Sequence, residues 1–142
     1  MKILVAVDGS KPSLKAVQLL VEHCDWYRSA PEVELVTVHL PVPRLPRMGA
    51  AVGKDQIERY YKEEGEAMLA AARKKLDAAG VPYQSHILVG PVAEAIVRHA
   101  NDKRCDLIYI GTHGRSALGK ALIGSTATKV LHISDIPVLL VK

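Results

Sequence analysis

The stretch from Gly111 through Gly114, Arg115, Lys120 and Gly124 to Ser125 and Thr126 concentrates residue types that bind anions. Glycines let backbone N–H groups come close to a phosphate, and a helix N-terminus adds partial positive charge. Ser125 and Thr126 bring hydroxyl donors, while Arg115 and Lys120 bring full charges. The stretch leaves an apolar run and enters a helical pattern, so it reads either as a phosphate cradle or as a tight corner closed by its glycines. Gly114 to Lys120 also fits the G-x-x-x-x-G-K spacing of a P-loop. Ala121 stands where that loop needs a Mg²⁺-binding hydroxyl, and too little chain follows for the acidic strand such a site requires, so the P-loop reading is set aside.

A second polar element is Asp8-Gly9-Ser10, directly after the aliphatic run Lys2–Val7. Asp8 either meets a ligand at the strand end or caps the turn before the next helix. His39 and His113 also fall near strand ends, yet neither pairs at ligand spacing with the other or with a cysteine. They read as satisfied or solvent-facing, as do His23, His86, His99 and His132, so no metal site is expected. Cys24 and Cys105 form no CxxC and no disulfide framework and read as small apolar residues. No glutamine or glutamate lies in the glycine stretch to orient a water, and no catalytic residue is assigned.

These residues need elements to hold them. Lys2–Val7, Val33–Leu40, Tyr83–Val89, Asp106–Ile110 and Pro137–Val141 are strand-like runs, and Tyr83–Val89 is polar enough for a position near a sheet edge. Ser10 offers an N-cap with Pro12 in the first turn, and Leu14, Val17, Val21 and Cys24 carry a first helix to about Tyr27. Ile57, Tyr61, Met68, Ala72 and Leu76 stripe a helix over residues 54–79, closed by Gly80. Val92, Ala93, Ile96, Val97 and Ala100 face inward from a third helix, and a fourth runs from Gly124 to about Ile133. The proline-rich stretch Pro41–Gly53 forbids regular structure. Strict β-α alternation implies an α/β fold: a Rossmann-like, doubly wound, five-stranded parallel sheet with helices on both faces. Such sheets bind ligands beyond the carboxyl ends of their strands, where the strand order reverses. That directs attention to the segments after the first, second and fourth strands.

The chain has 142 residues, 49% apolar and 24% charged, which suits one globular domain over residues 1–142 and excludes a disordered chain. No run approaches the roughly 18 apolar residues of a membrane span, and the opening aliphatic run stops too early for a secretory signal. A cytoplasmic protein is expected. Nineteen Lys and Arg against 15 Asp and Glu leave a net charge of +4, spread along the chain with few aromatics, so nucleic acid and membrane are not expected partners.

Read as Gly111-x2-Gly114-x9-Gly124-Ser125, the glycine stretch resembles the G-x2-G-x9-G-[S/T] nucleotide signature of the universal stress protein family. The opening Ile3–Ser10, the run Leu35–Leu40 with His39 before its last residue, and the closing Ile136–Val141 resemble that family's first, second and last strands. The resemblance spans the whole chain; Cys24 and Trp26 lie outside any motif it carries. It implies an ATP-binding regulatory module, with Mg²⁺ held through the phosphates. Carried over, Asp8 would meet the ribose or a phosphate-bound cation, and the backbone of Leu40 would meet adenine unless Leu40 is simply the last core residue of its strand. Gly111, Gly114 and Arg115 would line ribose and phosphates, and Gly124, Ser125 and Thr126 would hold the phosphates, Ser125 also being a possible N-cap. A slow ATP hydrolase or phosphotransfer enzyme, and a nucleotide-free interaction scaffold, are the rival functions. In a doubly wound sheet of order 3-2-1-4-5 the last strand is an edge. Its Val138, Leu139, Leu140 and Val141 carry no charge or proline to blunt it, so a homodimer through this strand is expected.

Overall fold

The aliphatic run Lys2–Ala6 is strand β1, and Ile3, Leu4 and Val5 within it have no exposed surface. A run buried on both faces needs parallel neighbours on both edges and helices above and below. The computed structural model, which describes residues 1–42, 53–114 and 123–142, supplies them. The order is β1, α1 (Lys11–Glu22), a 3₁₀ turn (Cys24–Trp26), β2 (Glu32–His39), α2 (Lys54–Ala78), β3 (Tyr83–Val89), α3 (Val92–Asp102), β4 (Leu107–Gly111), α4 (Ser125–Ile133) and β5 (Val138–Val141). The five strands form one parallel sheet ordered β3-β2-β1-β4-β5, the layout expected from the sequence, with β3 and β5 at its edges. The register sets Ala6 beside both Val36 and Ile110, so β1, β2 and β4 approach their carboxyl ends together.

The period of two along β1 divides the core. Ile3 and Val5 pack with Leu20 of α1 and Leu69 and Leu76 of α2 on one face. Leu4 and Ala6 pack with Ile96 of α3 and Val130 of α4 on the other. α1 and α2 thus cover one face, and α3 and α4 cover the opposite one. No helix among the described residues is long and apolar enough to cross a membrane.

Two local expectations need correction. The first helix stops at Glu22 rather than near Tyr27, because the chain tightens into a 3₁₀ turn in which the Trp26 and Tyr27 N–H groups donate to the His23 and Cys24 carbonyls. Trp26 is left 74% exposed, stacked on the His23 ring, while the Tyr27 hydroxyl lies 2.7 Å from that of Tyr109. Burial pushes the Tyr109 phenol well above its usual pKa. In α2 the fully buried stripe is Gly65, Leu69, Ala72 and Leu76, with Leu69 in place of the expected Met68. The helix is turned so that Gly65 meets β3: a Cβ there would lie 2.7 Å from Ile87 side-chain carbons. Arg73 clamps the same contact, pairing with Glu66 and donating to Ser85 Oγ at 2.8 Å.

The Gly65 contact is testable. Gly65→Ala gains about 1 kcal/mol of helix propensity but overpacks Ile87 by roughly 1–3 kcal/mol, for a net destabilisation of about 1 kcal/mol. Adding Ile87→Val to Gly65→Ala should recover stability, giving a favourable coupling energy in a urea-unfolding double-mutant cycle. Additive effects of the two substitutions would refute the contact.

A candidate nucleotide-binding crevice

The carboxyl ends of β1, β2 and β4 open into a crevice of about 480 Å³, within the range of pockets that hold small organic ligands. It arises at the strand pair β1 and β4, whose chains leave toward opposite faces of the sheet, α1 to one and α4 to the other. Its apolar wall comes from Val36, Val38, Met68, Val92, Ile96 and Ile110. Its polar rim comes from Asp8, Ser13, Thr112, His113, Gly114, Gly124, Ser125 and Thr126.

Asp8 follows β1 and serves the turn as well as the crevice. Its Oδ1 accepts the Ser10 N–H at 3.0 Å, closing the turn that Gly9 makes at φ +77°. Ser10 then caps α1, accepting the Ser13 N–H. Ser13 Oγ accepts the Asp8 N–H at 3.3 Å and donates to the Ser10 carbonyl at 3.0 Å. The turn reading and the site reading of Asp8 are therefore compatible.

Leu40 follows the last residue of β2 and its side chain is 68% exposed at the rim, so it is not a core residue of that strand. His39 just before it is buried, with its ring 5.5 Å from that of Tyr61. Tyr61 in turn accepts the Val42 N–H at 2.7 Å, fastening the chain beyond β2 to α2.

The glycines of the signature have different physical reasons. A Cβ on Gly111 would sit 2.8 Å from the Pro12 carbonyl carbon and the Ser13 nitrogen, so this glycine admits the α1 N-terminus against the end of β4. A Cβ on Gly114 would lie 2.7 Å from Asp8 Oδ2, so this one brings the loop backbone onto the Asp8 carboxylate. Gly124 is the N-cap of α4, its N–H donating to the Thr112 carbonyl at 2.6 Å, which makes Ser125 the first residue of the helix rather than its cap.

That N-terminus is the part of the crevice whose polarity suits an anion. Gly124 has no side chain to cap the helix, and no acidic residue occupies the first turn. The helical ladder begins with the Thr128 N–H donating to Gly124, so the amides of Ser125, Thr126 and Ala127 precede it, and all three residues line the crevice. Such a terminus with glycine beside it favours negative charge. Arg115 and Lys120, with the rest of 115–122, lie outside the described residues.

The structure thus brings Asp8, Leu40, Gly111, Gly114, Gly124, Ser125 and Thr126 to one crevice. Sequence reasoning missed Ser13, Thr112 and the wall residues Val36, Val38 and Met68; the alternation along β2 marked the first two of these wall positions, but only the packing of α2 brings Met68. Neither cysteine is poised as a nucleophile. Burial first and Glu34 second push the Cys105 thiol up to about 11, and burial with Asp25 raises Cys24.

The profile of the Universal stress protein family matches residues 1–142. The chain is 33% identical over 141 residues to Universal stress protein MJ0531 of Methanocaldococcus jannaschii, an alignment covering 99% of this chain and 81% of that protein. With Stress response protein NhaX of Bacillus subtilis it shares 38% identity over 161 residues, covering 99% and 97% respectively. Among solved structures, protein MJ0577 of M. jannaschii superposes with a TM-score of 0.82 at 28% identity, covering 99% of this chain and 94% of that one.

The two loop glycines should behave differently when substituted. Gly111→Ala forces a methyl against backbone and is expected to cost about 1–3 kcal/mol in chemical unfolding. Gly114→Ala meets only the end of a side chain and should cost under about 1 kcal/mol. The reverse ranking would show that the packing of α1 on β4 does not explain Gly111.

Proposed function

The chain belongs to the universal stress protein family, and on that premise we propose that it is a nucleotide-holding regulatory module whose crevice takes ATP. The observation that carries this reading is the glycine-capped N-terminus of α4 opening onto the crevice at the strand-order reversal. In this reading Gly114, Gly124, Ser125 and Thr126 hold the phosphates, with Arg115 supplying charge. Gly111 sets the floor by admitting α1. The backbone at Leu40 meets adenine, whose faces the Val38 and Met68 side chains would cover. Asp8 is the acidic residue on the lining, and a single carboxylate suits a Mg²⁺ that takes most of its ligands from phosphate and water. Those residues would hold and orient a bound triphosphate; contacts of this kind bind ground and transition states alike, which favours retention over turnover. The protein would act in the cytoplasm as one universal stress domain, its nucleotide state read by other molecules.

Two experiments test the proposal. Nucleotide released on denaturing the purified protein should be ATP, and calorimetric titration should give a site that Ser125→Glu weakens roughly a hundredfold or more by placing a carboxylate among the phosphates. The helix should tolerate this change, since an acid in its first turn suits the dipole. Ser125→Glu is cleaner than Gly124→Val, because a Cβ on Gly124 would already stand 3.2 Å from the Thr112 carbonyl oxygen. Unchanged affinity in a folded Ser125→Glu protein would remove the phosphate site from α4.

We also propose that the chain forms a homodimer through β5. This strand is an edge whose Val138, Leu139, Leu140 and Val141 are all apolar, and antiparallel pairing with a second copy would close the ladder about a two-fold axis. Leu139→Pro removes a ladder donor and should shift the sedimenting species from dimer to monomer. A wild-type protein that sediments as a monomer at micromolar concentration would dispose of the interface.

A further inference from the structure

Away from the crevice, Glu34 of β2 is 3% exposed, an acidic side chain inside the layer between the sheet and α3. A carboxylate at that depth requires strong compensation. No lysine or arginine is seen to pair with it among the described residues. Its neighbours are two imidazoles, one from the adjacent edge strand and one from the covering helix. Glu34 Oε2 lies 2.7 Å from Nε2 of His86 on β3 and 3.3 Å from Nε2 of His99 on α3. The two rings are 4.5 Å apart between centroids. Nε2 of His86 is buried and forms no aligned hydrogen bond despite its closeness to the carboxylate.

The geometry points to a divalent transition-metal site, with Zn²⁺ as its natural occupant, held by Glu34 Oε2, His86 Nε2 and His99 Nε2. One ligand atom from each of the three residues lies within 4.8 Å of the other two. Ligands about 2.0–2.1 Å from a tetrahedral zinc are separated by roughly 3.4 Å. The His99–Glu34 spacing of 3.3 Å already meets that value, and the His86–Glu34 spacing of 2.7 Å needs an opening of about 0.7 Å. Such a movement is available to His86, whose side chain is 24% exposed at the sheet edge, whereas Glu34 and His99 at 5% and 12% are held by packing. The donor set of two imidazoles and one carboxylate suits zinc better than Mg²⁺ or Ca²⁺, which prefer oxygen throughout.

A bound dication would neutralise the buried carboxylate and join three elements. Glu34 stands next to Gln84 in the β2–β3 register and His86 is two residues further along β3, while His99 comes down from α3, so the ion would fasten edge strand β3 and α3 to β2. The fourth position would fall to water. The site depends on none of the crevice residues, so it stands or falls separately from the nucleotide proposal.

The test uses the purified chain, stripped with chelator and titrated with Zn²⁺ alone. One equivalent should bind and raise the melting temperature. Co²⁺ at the site should give the visible absorption of a tetrahedral ion, displaced by Zn²⁺. His86→Ala and His99→Ala should each weaken zinc binding at least about a hundredfold and abolish the melting shift, while exposed His132→Ala should change neither. Should a histidine variant fail to fold, the wild type decides the matter: the imidazole nitrogen resonances of His86 and His99 must move on adding one equivalent of Zn²⁺. Static resonances, absence of zinc binding, or binding retained in both folded histidine variants would overturn the site.

Discussion

Strand β1 has parallel neighbours on both edges and apolar layers on both faces, and the rest of the molecule follows from keeping it dry. An aliphatic run with no exposed surface cannot sit at an edge, so β2 and β4 must flank it. Right-handed crossovers then send α1 to one face and α4 to the other. Diverging chains at adjacent strand ends leave a gap that side chains cannot fill, and this gap is the crevice. The crevice is in this sense a by-product of burying β1.

Within the crevice the glycines share a motif without sharing a cause. Gly111 is needed because backbone meets backbone, with α1 entering where a methyl group would stand. Gly114 is needed because its loop passes over a carboxylate, and Gly124 because a helix begins there without a side-chain cap. A signature written as one string thus combines a packing requirement, a close approach over a carboxylate and a helix start without a side-chain cap. The same economy appears at Asp8, whose Oδ1 completes a turn while the residue borders the crevice. Residues at this junction cannot be sorted into structural and functional classes, because the turn that starts α1 is also a wall of the site.

Further toward the amino ends of the strands, the α3 side of the sheet follows a different logic. Between β2, β3 and α3 the aliphatic layer is interrupted by Glu34, His86 and His99. A leucine at position 34 would match the hydrophobic pattern of β2 and carry no desolvation cost. The carboxylate is instead matched by two imidazoles from separate elements. Burial lowers the His99 pKa against the opposing pull of Glu34, a sign of how dry that layer is.

What the sequence determined by itself is everything that depends on neighbours along the chain. Alternating aliphatic runs and helical stripes gave the element order, the continuous apolar character of β1 gave a two-sided sheet, and the spacing of Gly111, Gly114 and Gly124 marked a loop built for close approach. The Ser10 cap and the polar, edge-like character of β3 were legible for the same reason. The local periodicity could not reveal that α1 ends at Glu22, since the tightening there accompanies the Tyr27 contact with Tyr109, 82 residues away. Nor could it reveal that Leu40 stands exposed at the rim, or that Met68 turns toward the crevice while Leu69 takes the core. Glu34 and His99 are 65 residues apart and carry no spacing that a motif could register. Only the parallel register of β2 and β3 and the seating of α3 bring them together, because side-chain distances across a sheet are set by strand pairing and not by position in the chain.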